Sequence, residues 1–178
     1  VTESESLERA IHEEVALMPY DPQWLLLFAK ERERLMHLFP SRLLDVQHFG
    51  STAIPGMPAK PIIDLLAGVE SMAIADSLVE PLLRSGYTTS AEFNATLPDR
   101  RWFMRWSNGH RTHHLHVVVL GGPEWRRRLR FRDALRSNAE LAQRYAILKQ
   151  QLAAQHGADR EAYTHAKSEF VRAIASDA

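Results

Sequence analysis

Cysteine is absent from the 178 residues. That excludes a disulfide framework, thiolate metal ligands and a cysteine nucleophile, and makes a reducing, cytoplasmic setting the expectation. Long apolar runs are also missing. No stretch approaches the roughly 20 residues that cross a bilayer, which argues against a membrane partner. The opening stretch "VTESESLERAIHEE" is acidic where a secretory leader is basic and then apolar. Charge of one sign is not in excess either: 22 Lys and Arg balance 22 Asp and Glu. The balance argues against a nucleic-acid partner gripping the whole surface, so any basic site has to be local. Neither a fixed-period repeat nor a low-complexity segment occurs.

What is there fits one domain. A polar lead-in is expected over residues 1–14, a sheet core over about 15–121 and a helical part over about 123–176. Val15 to Leu17 read as a short strand. Asp21 and Pro22 open a helix, one as the cap and the other in the first turn, and Pro40 stops it. Leu43 to Phe49 and Pro61 to Leu66 read as strands, and Ser71 to Ser85 as one helix closed by Gly86. Arg101 to Trp106 and His113 to Leu120 flank Asn108-Gly109, a strong hairpin signal. Three helical patterns follow, Trp125 to Arg136, Leu141 to His156 and Asp159 to Ala175. The expected class is α+β, a mixed sheet of four or five strands flanked by helices, with a helical C-terminal region.

The stretch "HFGSTAIPGMPAKPIIDLLAGV", His48 to Val69, carries the functional signal. A Gly50-Ser51 turn follows a strand, and twelve residues later Asp64 stands in an apolar strand as Ile63-Asp64-Leu65. A carboxylate there needs a partner or a metal. A salt bridge to Lys60 or Arg111 is the plain alternative. In His113-His114-x-His116, strand alternation puts His114 and His116 on one face and His113 on the other. The two imidazoles then either converge on Asp64 or serve as ordinary hydrogen-bonding groups at a sheet end. Tyr145-x3-Lys149 and Tyr163-x3-Lys167 each place a tyrosine and a lysine on one helix face, where the ring stacks on a base or simply packs under the lysine stem. Arg126, Arg127, Arg128 and Arg130 read as a solvated basic face rather than an RNA patch, and Phe131-Arg132-Asp133-x-Leu135-Arg136 as core residues with a surface pair of Asp133 and Arg136.

The motifs Tyr20-Asp21-Pro22-x-Trp24, His48-x-Gly50-Ser51-Thr52-Ala53-x-Pro55-Gly56, Ala59-Lys60-Pro61-Ile62-Ile63-Asp64, His114-Leu115-His116-Val117, Phe131-Arg132-Asp133, Tyr145-x-x-Leu148-Lys149 and Tyr163-x-x-x-Lys167 occur in this order. Together they resemble the GrpB family over Tyr20 to Phe170, a family of largely unassigned function, sometimes fused to dephospho-CoA kinase and similar in fold to nucleotidyltransferases. The resemblance implies a nucleotidyltransferase-like fold that binds a nucleoside triphosphate and a divalent metal, with the acceptor unknown. Gly50, Ser51, Thr52, Lys60, Arg111, Lys149 and Lys167 are then candidates for holding the nucleotide, and Asp64 and His116 for catalysis. Asp64, His114 and His116 are candidates for the metal, Mg, Mn or Zn, with His48 as an outer ligand; imidazole favours a transition ion.

One departure weighs against the usual two-metal site. The second carboxylate of that superfamily, two residues after the first, is here Leu66. Three readings follow: nucleotidyl transfer, a non-catalytic nucleotide or anion-binding module, and a metal-dependent hydrolase built on the Asp-His-His cluster.

Overall fold

A computed structural model describes residues 4, 5, 8, 16–156 and 160–177. The first long helix, α1 (Gln23–Leu38), starts where Asp21 accepts the Gln23 N–H at 2.9 Å, and stops at Phe39, before Pro40. Its buried side chains, Trp24, Glu31 and Leu35, form one stripe. Strand β1 (Asp45–Phe49) leads through a 3-10 turn (Ser51–Ala53) into β2 (Ile63–Val69), and three short helices follow: α2 (Met72–Ser77), α3 (Val79–Arg84) and α4 (Ala91–Ala95). The hairpin strands β3 (Arg100–Ser107) and β4 (His110–Val119) complete the sheet, and α5 (Pro123–Ser137), α6 (Ala139–His156) and α7 (Arg160–Asp177) end the described chain.

The sheet has four strands in the order β1-β2-β4-β3. It is mixed, because β2 pairs parallel with β4 while the two outer pairings are antiparallel. Asn108 and Gly109, at φ 52° and 79°, turn the β3-β4 hairpin as their dipeptide predicts. One sheet face packs Val46, Ile63, Leu65, Ala67, Phe103, Leu115 and Val117 with Leu35, Phe39, Ala75 and Leu82 in the main core. The other face carries Asp64, Leu66, Gly68, His114 and His116, and there α5 closes over the sheet. A second cluster of Ile54, Met57, Leu135 and Tyr145, with Phe131 and Phe170 against it, binds the C-terminal helices to the loop before β2.

Three expectations are corrected, and one helix is added. Val15 lies outside the described residues, and the pairing nearby is a single bridge between Met18 and Ala59 rather than a strand over Ala16 and Leu17. Residues Ser71 to Ser85 form two six-residue helices, α2 and α3, meeting at Leu78. Helix α4 was not legible in advance; it is one turn held by Ser90, whose hydroxyl accepts the Phe93 N–H. Pro61 precedes β2, which begins at Ile63, as suits a residue with no N–H for the ladder. The predicted lead-in, 1–14, falls almost wholly outside the described residues.

Gly68 sets how closely α5 sits on the sheet. A Cβ there would lie 2.6 Å from Leu120 Cδ1 and 3.0 Å from Trp125 Cζ3. Gly68→Val is therefore expected to lift the start of α5 and destabilise the fold by about 1–3 kcal/mol, read as a lower urea midpoint.

Candidate functional site

Strand register decides which side chains meet. Asp64 pairs with His114 and Leu66 with His116 across β2 and β4, and Phe49 of β1 pairs with Asp64. Paired residues on neighbouring strands point to the same face. Asp64, His114 and His116 thus converge as expected, with a fully buried Leu66 where a second carboxylate would stand. The same parity sends His48 and His113 to the opposite face. His48 stacks on Phe28 of α1, ring centroids 4.6 Å apart, with Nε2 2.9 Å from the Thr52 hydroxyl. It is therefore no outer ligand of the cluster. That hydroxyl also donates to the Ile62 carbonyl at 3.4 Å, so the Thr52 side chain is committed to the loop.

The loop meets the strand at Gly50. Its φ is +72°, and a Cβ there would run into the Asp64 carboxylate. Helix α5 ties down the loop's flanks: Arg132 donates to the Gln47 side chain at 2.8 Å and to the His48 carbonyl at 3.0 Å, and Arg136 donates to the Ala53 carbonyl at 3.0 Å. Asp133 pairs with Arg132 at 2.9 Å. The expected surface pair of Asp133 and Arg136 is thus replaced, because Arg136 reaches across to the Ala53 carbonyl.

Between this sheet face and α5–α7 lies a cavity of about 340 Å³. Gly50, Ser51, Thr52, Lys60, Asp64, Arg111, His114, His116, Lys149 and Lys167 all line it. Sequence reasoning missed Arg127 and Arg128, which line it too. Their spacing from Phe131 at i+4 and i+3 was the available signal, since it places all three on one side of α5 while Arg126 and Arg130 border a separate surface groove. The tyrosines of the two Tyr-Lys pairs are packed into the structure, although Tyr145 also borders the cavity. Tyr145 and Tyr163 are 3% and 0% exposed, with Lys149 and Lys167 over their rings at 5.5 and 5.3 Å. The packing alternative holds for the rings, while both lysines still reach the cavity wall.

Two arginines define the state of the two histidines. Arg111 Nη1 lies 3.0 Å from His114 Nε2, and His114 Nδ1 lies 3.4 Å from Asp64 Oδ1. A guanidinium only donates, so Nε2 accepts and the proton of neutral His114 sits on Nδ1, facing the carboxylate. Arg100 Nη1 likewise lies 2.9 Å from His116 Nδ1, which leaves the His116 proton on Nε2. Burial and the charges of Arg128 and Arg100 hold His116 well below the ordinary imidazole range. Burial also lowers His114, against the opposing pull of Asp64. Burial alone would raise the Asp64 carboxyl, but the His114 hydrogen bond and the charges of Lys60 and Lys167 hold it below the usual range. As arranged, Asp64, His114 and His116 do not offer three donors to one ion. Among the described residues no group of three or more His, Cys, Asp and Glu is placed to hold a metal.

Residues 14–177 match the family model described as GrpB protein. The chain belongs to the GrpB family. The glutamate-rich protein GrpB of Alkalihalophilus pseudofirmus is 36% identical over 168 residues, covering 92% of this chain and 95% of that protein. The UPF0157 protein YqkA of Bacillus subtilis is 38% identical over 164 residues, and there the match spans 92% of this chain but 47% of YqkA, about half its length. A protein named dephospho-CoA kinase from Mycolicibacterium paratuberculosis matches at 33% identity over 89% of this chain and 44% of its own. The crystal structure of the conserved protein GrpB from Enterococcus faecalis superposes with a TM-score of 0.81 at 35% identity, covering 91% of this chain and 96% of that one. The mixed four-stranded sheet flanked by helices is thus the family's fold.

Lys149 of this GrpB chain gives a direct test of the site's electrostatics. It is 1% exposed, donates to the Pro58 carbonyl at 2.6 Å, and burial beside Lys167 pushes it down to about 6 from the ordinary 10.5. Between those two values the unfolded chain holds a proton that the folded chain lacks, so this group makes stability rise with pH. Lys149→Met removes that contribution. Urea midpoints from pH 6.5 to pH 9 should show the wild type gaining on the variant as pH rises; parallel curves would refute a neutral buried lysine.

Proposed function

We propose that the cavity receives the phosphate chain of a nucleoside triphosphate or a closely related polyphosphate. One observation carries this reading: six basic side chains converge on one cavity. They are Lys60 from the loop, Arg111 from β4, Arg127 and Arg128 from α5, Lys149 from α6 and Lys167 from α7, and Asp64 is the one carboxylate among the described residues of the lining. Glu124, behind the wall, pairs with both Arg127 and Arg128. With Lys149 neutral in the empty site and Glu124 counted, five cations less two acids leave a surplus of three in a chain of zero formal charge. Such a surplus in a concave site is the signature of an anion receptor. The cavity falls at the small end of ligand pockets, which run from about 300 to 1,000 Å³. A phosphate chain suits it better than a large apolar ligand.

Arginine forks supply paired N–H donors to phosphate oxygens, and lysines supply point charge. Lys149, largely neutral in the empty site, regains its proton beside an anion. His116 adds a neutral N–H donor on Nε2. Nucleotidyl transfer remains the catalytic version of this reading, supported by the approach of Gly50 to Asp64. Leu66 in place of the second acid favours the binding module over it. Relatives named dephospho-CoA kinase make coenzyme A and its precursor worth including among the ligands tried.

The expected result is a rise in melting temperature with ATP, GTP, CTP, UTP, coenzyme A or inorganic tripolyphosphate, and none with uncharged nucleosides, because binding to the folded state alone stabilises it. Lys167→Met should weaken the tightest of these at least tenfold in a calorimetric titration while leaving the circular dichroism spectrum unchanged. Pyrophosphate release in the same mixtures reports transfer. Failure of every phosphate ligand to shift the transition would reject the proposal.

A further inference from the structure

The histidines carry an inference that deepens this reading and rests on it. We infer that the cavity takes its polyphosphate in the metal-free form, with arginine and lysine in the place of a divalent ion. A histidine binds a metal through a ring lone pair. In neutral His114 and His116 that lone pair already accepts a guanidinium hydrogen, from Arg111 at 3.0 Å and from Arg100 at 2.9 Å. Releasing either would cost an arginine, buried at Arg111 and half-buried at Arg100, this hydrogen bond and place a divalent cation beside it, so that the loss and the repulsion add. Asp64 is the remaining hard ligand, and it faces the His114 N–H at 3.4 Å. One carboxylate holds Mg²⁺ only together with substrate phosphates and waters, and here Lys60, Arg111, Arg128 and Lys167 in the same lining compete for those phosphates.

Asp64 has a different task in this arrangement. It fixes the His114 tautomer, His114 presents its lone pair to Arg111, and Arg111, only 5% exposed, is thereby aimed along the cavity wall. Asp64 is a positioning residue for a phosphate-binding arginine, acting through a neutral imidazole. A nucleotide carrying Mg²⁺ would bring two further positive charges into a site with an excess of them. The free tetra-anion is the better match.

Calorimetric titration of the full chain with ATP and with inorganic tripolyphosphate, in EDTA and then in saturating Mg²⁺, Mn²⁺ or Zn²⁺, tests this. Binding in EDTA that weakens at least tenfold when metal saturates the ligand is the expected result. Affinity that is unchanged, rises or first appears with metal overturns the inference while leaving a polyphosphate site in place. No binding under either condition overturns the site and the inference together. Asp64→Asn supplies an independent arm, because asparagine keeps an acceptor for His114 Nδ1–H and removes the one negative charge in the lining. The wild type and this variant should lose affinity by the same factor, within threefold, when EDTA is replaced by saturating Mg²⁺; a loss in the variant confined to the metal-saturated ligand would return Asp64 to the role of metal ligand. Nitrogen NMR shifts of His114 and His116 should report protons on Nδ1 and Nε2 respectively, and should not move when Zn²⁺ is added without nucleotide.

Discussion

The hydrogen-bonded line from Asp64 through His114 to Arg111 is the constraint around which the rest of the site is arranged. Asp64 stands on β2, whose other residues are all buried. A carboxylate on such a strand is tolerable only when a donor reaches it. The parallel pairing of β2 with β4 brings His114 level with it, and Arg111, three residues earlier on β4, completes the chain. Because the imidazole stays neutral, the anion and the cation are held apart by a ring rather than joined as an ion pair. The guanidinium thereby stays at the cavity wall.

The rest of the positive charge arrives on elements that do not belong to the sheet. Helices α5, α6 and α7 each contribute basic side chains, and they are fastened to the loop before β2 by the Ile54, Met57, Leu135 and Tyr145 cluster. Arg132 and Arg136 add hydrogen bonds from α5 to the backbone on both sides of the Gly50-Ser51 turn. The turn and the cations are thereby held as one unit. That arrangement accounts for a run of arginines in a chain with no net charge: one part of it builds the cavity and another hangs over a surface groove.

The opposite sheet face shows how the same residue types serve structure. Glu31, 4% exposed, takes hydrogen bonds from Arg34, Arg105 and Tyr87 at 2.6, 2.6 and 2.8 Å. Burial alone would raise its carboxyl, yet these partners hold it below the ordinary range. Acid and base are matched locally there. Among the described residues lining the cavity, six basic side chains stand beside one carboxylate, which is the observation the proposed function rests on.

Much of this was legible in the amino-acid order. Hydrophobic alternation, the Asn108-Gly109 turn and the helical periodicity after Gly122 gave the elements and their class, and the ordered motifs gave the family. Alternation also determined that Asp64, His114 and His116 share a face once β2 and β4 are neighbours, because side chains on a strand repeat every second residue. What spacing cannot carry is which lone pair or proton each group presents. Arg100 and His116 lie sixteen residues apart, and Arg136 and Ala53 eighty-three. Their hydrogen bonds exist only when the hairpin closes and α5 docks on Gly68. Parity within the strands likewise sent His48 to the far face, and packing turned the tyrosine rings of α6 and α7 inward. The sequence by itself determined which residues would gather; tertiary structure decided that the gathered imidazoles face arginines, since a histidine's chemistry depends on its hydrogen-bond partner and that partner comes from another element.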